Sequence, residues 1–326
     1  MIARHPNQTH PSPACWTALA VYMSISITGC FDNNPYPTRN QNVKTFYYSY
    51  AVEAKHLDPV RAYNTGEYRF VSPVYEPPLQ FHYLKRPLKL ISRTTVGLPT
   101  IVRYDRQGEP LTADAPVTEV GKVVYTIKLK PGIQFQDHPC FARREDGTYR
   151  WHLDEAGKFP IVRHPHELLN DAQTIRKTRT LRAEDYVYQI KRMAHPMRHC
   201  PVRNVFELRI PGMKKLRLDI EKAVVALRQA RRQAAGPGYN READERLNPL
   251  YLDLRKLELS GVRVIDDLTF EVEFNTDFPQ FNYWLTMPFL SPIPWEAERF
   301  YDQRAAAAQN LTLNRYPVGT GPYVVA

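Results

Sequence analysis

Six histidines and two cysteines fall within one stretch of the chain: His138, Cys140, His152, His164, His166, His195, His199 and Cys200. Imidazole and thiolate are the ligands zinc selects, but taken together these spacings match no zinc pattern. Scattered histidines in a polar stretch are therefore read as solvated. Nucleophilic and phosphate chemistry leave no signature either, because the chain has no Gly-x-Ser-x-Gly elbow, no Gly-rich loop ending in Lys and no His-Glu-x-x-His. Gly319-x-Gly321 lacks the third glycine of a dinucleotide loop. The expectation is a binder and not an enzyme, with no cofactor and no metal.

A binder of what class is constrained by charge. The 326 residues carry a formal charge of +10, which would suit nucleic acid if the cations were clustered. They are dispersed. The densest run, Lys214 to Arg232, is interrupted by Asp219 and Glu221 and reads as one helix surface, and no nucleic-acid motif accompanies it. A basic exported protein facing anionic envelope surfaces is the reading preferred, without nucleic acid as partner. At 43% hydrophobic and 12% aromatic, the chain can bury a substantial core.

The elements that would position binding residues are read from periodicity. Val123 to Leu129 is β-branched and aromatic with partial alternation, so it predicts a half-buried strand stopped by Pro131-Gly132. Thr180 is the expected N-cap of a helix that has Glu184 and Asp185 near its first turn and Val187 and Ile190 on one face. Earlier, Thr45 to Tyr50 predicts a first strand, Asp58-Pro59 a turn, and Tyr68 to Leu79 a helix in which Tyr75 and Leu79 form a core pair. Pro99–Asp105 and Val117–Leu129 predict strands around a Gly108-Glu109-Pro110 turn. Residues 137–177 read as a surface insertion with a short Tyr149–Trp151 strand.

Leu216, Ile220, Val224, Leu227 and Ala230 recur every three or four residues, an amphipathic helix broken at Gly236-Pro237-Gly238, and Arg241–Leu259 predicts a second helix kinked at Pro249. Together residues 207–259 read as a helical insertion. Val262–Phe274 is two alternating runs around Asp266-Asp267, a hairpin. In Pro317-Val318-Gly319-Thr320-Gly321-Pro322-Tyr323 the two glycines suit a tight turn before a strand.

The N-terminus reads as an export signal. Residues 1–29 carry Arg4 and then the apolar stretch Ala14–Ile27, too short for a comfortable membrane span. Ile27-Thr28-Gly29-Cys30 resembles a bacterial lipobox, which implies lipidation at Cys30 and a tether over residues 30–44. Cys140 and Cys200 would then be the remaining thiols; whether they pair is left open.

Leu129-Lys130-Pro131-Gly132-Ile133-Gln134-Phe135, the Leu181-x-Ala183-Glu184-Asp185-x-Val187-Tyr188 helix start, Leu57-Asp58-Pro59, the Asp266-Asp267 hairpin and Gly319-Thr320-Gly321-Pro322-Tyr323 closely resemble, in order, the family 5 extracellular solute-binding proteins, the peptide-binding components of ABC importers. The family's His-Asp-Gly appears here as Asp137-His138-Pro139. The resemblance implies an α/β fold of the periplasmic-binding-protein type II class. Residues 45–326 would hold part of the first domain and the second, with the third missing. It implies solute capture, of peptides first, with nickel, haem or oligosaccharide as family alternatives, and with ABC permease and ATPase subunits as partners of a lipid-anchored periplasmic protein. Tyr50, Phe281, Trp284 and Tyr323 are the ligand-binding candidates. An envelope lipoprotein that binds a protein partner and no solute is the reading from another class. Alone, such a chain is expected to bind peptide weakly or not at all, because a two-lobed binder completes its hydrogen bonds only on closing.

Overall fold

The computed structural model describes residues 49, 53–153, 157–172 and 174–325. The lipobox with Cys30, the tether, Tyr50 and nearly all of the expected first strand lie outside the described residues. The first described helix, α1, is Thr65–Val74. Its start is written in Asn64-x-x-Glu67: Asn64 Oδ1 accepts the Glu67 N–H at 2.9 Å, and the Glu67 carboxylate accepts from the Asn64, Tyr63 and His56 N–H groups. The helix ends at Tyr75, earlier than expected. Leu79 is not its helical partner but the first residue of a strand, because Pro77-Pro78 leaves no N–H to continue the helix.

Two sheets follow. Strands β1 (Leu79–Phe81) and β2 (Leu90–Ser92) form an antiparallel hairpin. Strands β3 (Thr100–Tyr104), β4 (Pro110–Leu111), β5 (Lys122–Lys128), β6 (Val262–Asp266) and β7 (Thr269–Phe274) form an antiparallel sheet in the order β4-β3-β5-β7-β6. The Val117–Glu119 segment expected to begin β5 is instead a 3-10 turn. Alternation decides the faces. Phe270, Val272 and Phe274 of β7 and Val123, Tyr125 and Ile127 of β5 are buried, while Glu271 and Glu273 face outward and pair with Arg263.

Against this sheet pack α2 (Ala183–Ala194), which stacks Tyr186 on Phe270, and the long α3 (Met213–Ala235) beyond it. Leu216, Ile220 and Val224 of α3 are buried, but Leu227 is exposed, so the amphipathic face leaves the core before its end. α4 (Arg241–Leu247) turns back along α3 through Arg228–Glu245 and Arg231–Asp244 pairs; Pro249 ends it instead of kinking it. The last labelled helix is α5 (Trp295–Tyr301). No helix of the described residues is long and apolar enough to cross a membrane.

Residues 137–177 are not a surface hairpin. Phe141, Trp151, Phe159 and Leu168 are buried in the main core, with Phe159 stacked on Phe300, and Tyr149–Trp151 forms no strand beyond an isolated bridge to Arg143. Few but large apolar side chains, irregularly spaced, anchor a segment whose average composition is polar. The glycines of the Pro317–Tyr323 segment also have another function than a turn. A Cβ on Gly319 would lie 2.0 Å from the Val74 carbonyl oxygen and one on Gly321 would lie 2.3 Å from that of Pro73. Their bare backbone lets the segment lie directly on the end of α1, where the Gly321 N–H donates to Val74 O at 2.8 Å.

Candidate functional site

Helix α2 carries a charged side chain at each end of its buried face. At its start, Asp185 accepts the Arg182 N–H, closing the helix, and takes both Nη atoms of Arg179, at 2.9 and 2.6 Å. Arg179 also forks onto Glu296 of α5, at 2.7 Å through both Nε and Nη2. At the other end Arg192 is fully buried. Its guanidinium donates to Asp58 at 2.7 and 3.1 Å, to Glu298 at 2.6 Å and to Gln189 at 2.7 Å. Glu298 accepts further from Tyr188 Oη at 2.5 Å and is ion-paired with Arg198, which also pairs with Asp302. Burial would raise the Glu298 carboxyl, but the Arg198 and Arg192 guanidiniums, with the Arg192 and Tyr188 hydrogen bonds, hold it down to about 2.

Above this network opens a cavity of about 440 Å³. Asp58, Arg198, Glu298 and Asp302 form its floor; Arg61 and Arg246 stand on its wall with Leu247, which is exposed, and Leu311 and Leu313, which are buried. The floor acids are all engaged by Arg192 and Arg198. Asn314, also on the wall, spends its amide on the neighbouring backbone, accepting from Leu57 N and donating to Lys55 O. Arg61 and Arg246 enter no ion pair among the described residues, so what this cavity presents to a solute is two guanidinium groups beside apolar surface, an arrangement suited to a carboxylate on an organic body.

Of the sequence-derived candidates, Phe281 is buried in an aromatic cluster with Tyr125, Phe274 and Phe278, and Trp284 is half-buried against Phe206 on the same helical turn. Tyr323 is exposed, at the end of the segment that lies on α1. None of the three lines the cavity. Of the residues that line it, Asp58 was read as a turn residue and Arg246, Leu247 and Pro249 as part of a helix; Arg61, Arg198 and Asn314 drew no reading.

Of the six histidines only His199 is exposed, which corrects the expectation for the other five. His138 and His195 are buried, and His138 Nε2 lies 2.8 Å from Tyr301 Oη. Three of them share a local device that the dipeptide His-Pro signals. In His138-Pro139, His164-Pro165 and His195-Pro196 the ring Nδ1 accepts the N–H two residues on, capping a 3-10 turn whose first residue has no N–H to satisfy. No group of three or more His, Cys, Asp or Glu that could hold a metal ion occurs among the described residues. Both thiols are free and buried; burial pushes Cys200 up to about 11 and Cys140 well above its ordinary value, the opposite of what a nucleophile needs.

The His-Pro caps predict a pH dependence. Desolvation holds the His195 ring down to about 4 and the His138 ring well below its ordinary value. Both folded values lie below the unfolded one, so the stability they contribute is complete above about pH 6.5 and is lost as pH falls, at up to about 1.4 kcal/mol per pH unit for each ring. Urea midpoints of the protein should therefore drop between pH 7 and pH 5. His138→Asn/His195→Asn, which keeps a capping acceptor without a titrating ring, should flatten that slope; an unchanged slope would refute the assignment.

The family profile described as "Bacterial extracellular solute-binding proteins, family 5 Middle" matches residues 107–326. Asp58 and Arg61 precede the matched residues. No curated protein matches the chain. Among solved structures similar to it is the periplasmic binding protein DppA from Helicobacter pylori in complex with the peptide STSA, at 15% identity and a TM-score of 0.42, covering 83% of this chain and 34% of that one. Haemophilus influenzae OppA in complex with RPPGFSPFR is similar at 15% identity and a TM-score of 0.42, over 84% of this chain and 34% of that one. The chain thus spans about a third of the length of these structures. Because the family match takes in more than half of the residues, this protein, an α/β fold of the type II periplasmic-binding-protein kind, belongs to the bacterial extracellular solute-binding proteins of family 5.

Proposed function

We propose that this chain captures solutes for an ABC importer, peptides first among them, without catalysing a reaction. The family match over residues 107–326 is the observation that carries the reading. On this reading the cavity above Arg192 receives the carboxylate of the solute at Arg61 and Arg246, with Leu247 against its apolar part. Tyr323 and Tyr50 are the aromatic contacts proposed for the ligand; Phe281 is packed in the core and Trp284 is half-buried against Phe206. Residues 1–29 direct export, Cys30 takes the lipid, residues 30–44 tether the folded part in the periplasm, and permease and ATPase subunits receive the cargo. Residues 137–177 and 207–259 stand as additions to the family's frame.

Thermal unfolding in the presence of candidate solutes tests this. A bound solute at a hundred times its dissociation constant stabilises by about 2.7 kcal/mol. A mixture of tripeptides with free C-termini should raise the midpoint by several degrees, about 5 °C at that saturation for a chain of this size. The same tripeptides with amidated C-termini, or Arg61→Gln/Arg246→Gln with either mixture, should shift it much less. A shift with nickel, haem or oligosaccharide and none with peptide would overturn the peptide assignment; a peptide shift indifferent to both arginines would move the site elsewhere. Lipidation is tested separately: a radioactive fatty acid should label the wild type and not Cys30→Ser.

A further inference from the structure

The β1–β2 hairpin presents a surface that solute capture does not use. Its base is fixed in the core. Leu79 is fully buried, Thr94 Oγ1 lies 2.6 Å from Tyr186 Oη, Thr95 Oγ1 donates to Pro78 O, and Lys130 Nζ donates to Arg93 O at 2.8 Å. Its tip, His82 to Lys89, is held in shape by its own polar groups. The His82 N–H donates to Lys89 O, His82 Nδ1 accepts from the Leu84 and Lys85 N–H groups, and Arg86 donates to the Tyr83 and Lys85 carbonyls.

What this tip exposes is unusual for a surface loop. Tyr83 is 88% exposed, Leu84 77% and Leu88 59%, and Lys85, Arg86 and Lys89 stand between and beside them. From Leu79 to Tyr104 the chain has five basic residues and no acidic one. Arg93 and Arg103 are matched by Glu76 and Asp277. The three tip cations form no ion pair among the described residues. Apolar side chains interleaved with unmatched cations are drawn to an interface that is negative outside and apolar just beneath.

We propose that the tip of this hairpin docks on an anionic lipid surface, with Tyr83, Leu84 and Leu88 entering the headgroup boundary and Lys85, Arg86 and Lys89 among the phosphates. Shape favours lipid over an acidic protein. A convex tip of eight residues on two strands offers little of the roughly 800 Å² per partner that a stable protein interface takes, whereas a bilayer surface yields around a protruding tip. The contact would orient the folded part against the membrane independently of the cargo it carries, and it does not depend on Cys30.

Co-sedimentation with vesicles decides it, using the full chain carrying Cys30→Ser so that no covalent lipid contributes. Binding to phosphatidylcholine vesicles containing a quarter phosphatidylglycerol should exceed binding to pure phosphatidylcholine and fall with added salt. Lys85→Gln/Lys89→Gln should lower the partition coefficient by about twenty-fivefold, from roughly fivefold per cation. Tyr83→Ser/Leu84→Ser should lower it comparably, while Ile161→Ser, which removes an exposed apolar side chain elsewhere, should not. Circular dichroism confirms that each variant is folded. Equal partitioning of the parent and both tip variants would overturn the proposal. So would tip-dependent capture on polyglutamate beads without vesicle binding, which would assign an acidic protein partner.

Discussion

Arg192→Met should lower the stability of this protein by about 3–5 kcal/mol, or roughly 5–9 °C in thermal midpoint for a chain of this size. The size follows from what is left behind. Met fills most of the volume, so packing changes little, but the carboxylates of Asp58 and Glu298 remain buried and face each other without the guanidinium between them. An exposed pair such as Lys215–Asp219 is worth at most about 1 kcal/mol, so Lys215→Met should be almost silent by comparison. Acid distinguishes charge from packing. In the wild type the folded Glu298 carboxyl is held down to about 2, below its unfolded value, so its contribution is present above about pH 4.3 and is lost as pH falls towards 2. In the variant Glu298 loses the Arg192 share of what holds it down and keeps only Arg198 and Tyr188, so part of its penalty is relieved by protonation. The difference between wild type and variant should therefore shrink between pH 7 and pH 4. Adding Glu298→Gln to Arg192→Met should recover part of the loss at pH 7. A constant difference across that range would mean the cost is one of packing, contrary to this account. Arg192→Lys should fall between the two, because an ammonium keeps the charge but cannot reach Asp58, Glu298 and Gln189 with one planar fork.

Gly319→Ala is expected to be the second severe substitution, costing about 3 kcal/mol or more although it adds only a methyl group. The new Cβ would lie 2.0 Å from Val74 O and 2.8 Å from Val74 C, both backbone atoms at the end of α1, so no side chain can swing away. Relief requires lifting the whole segment, and that breaks the Gln136 N–H bond to Gly319 O at 2.9 Å and the Gly321 bond to Val74 O. Gly97→Ala is the control. Nothing lies within 4 Å of its Cβ, and the change should stay within about 0.5 kcal/mol of wild type. Urea unfolding of the two variants side by side checks this; coincident midpoints would show that the segment is free to move. The solute-binding reading adds a second readout, since Tyr323 follows directly and its proposed ligand contact should weaken along with the fold.

The elements whose faces are set by neighbours in the chain were legible in the sequence. β5, β7 and the buried turns of α3 carry their burial as a period of two or of three to four, and the structure keeps those faces; β6, read as alternating too, is buried only at Val262 and exposed from Arg263 to Asp266. The motifs that carry the family resemblance were legible too, because Pro131-Gly132 and Asp266-Asp267 are local solutions to turning, but the cap of α2 is Arg182 closed by Asp185 and not Thr180, which bridges to Gln134. What periodicity cannot report is pairing at a distance. Arg192 and Asp58 are 134 residues apart and Arg192 and Glu298 are 106 apart, and nothing within either segment says that the other will arrive. The cavity above them exists only once α2, α5 and the turn at Asp58 have met. The same limit explains the glycines of the Pro317–Tyr323 segment, which look like turn residues until α1 is found against them. It explains residues 137–177 as well, where four large apolar side chains outweigh a polar average. The histidines are the intermediate case. Their caps lie within two residues and were readable from His-Pro, but their burial, and with it the loss of a proton near neutral pH, comes from elements elsewhere in the chain, such as Tyr301 over His138.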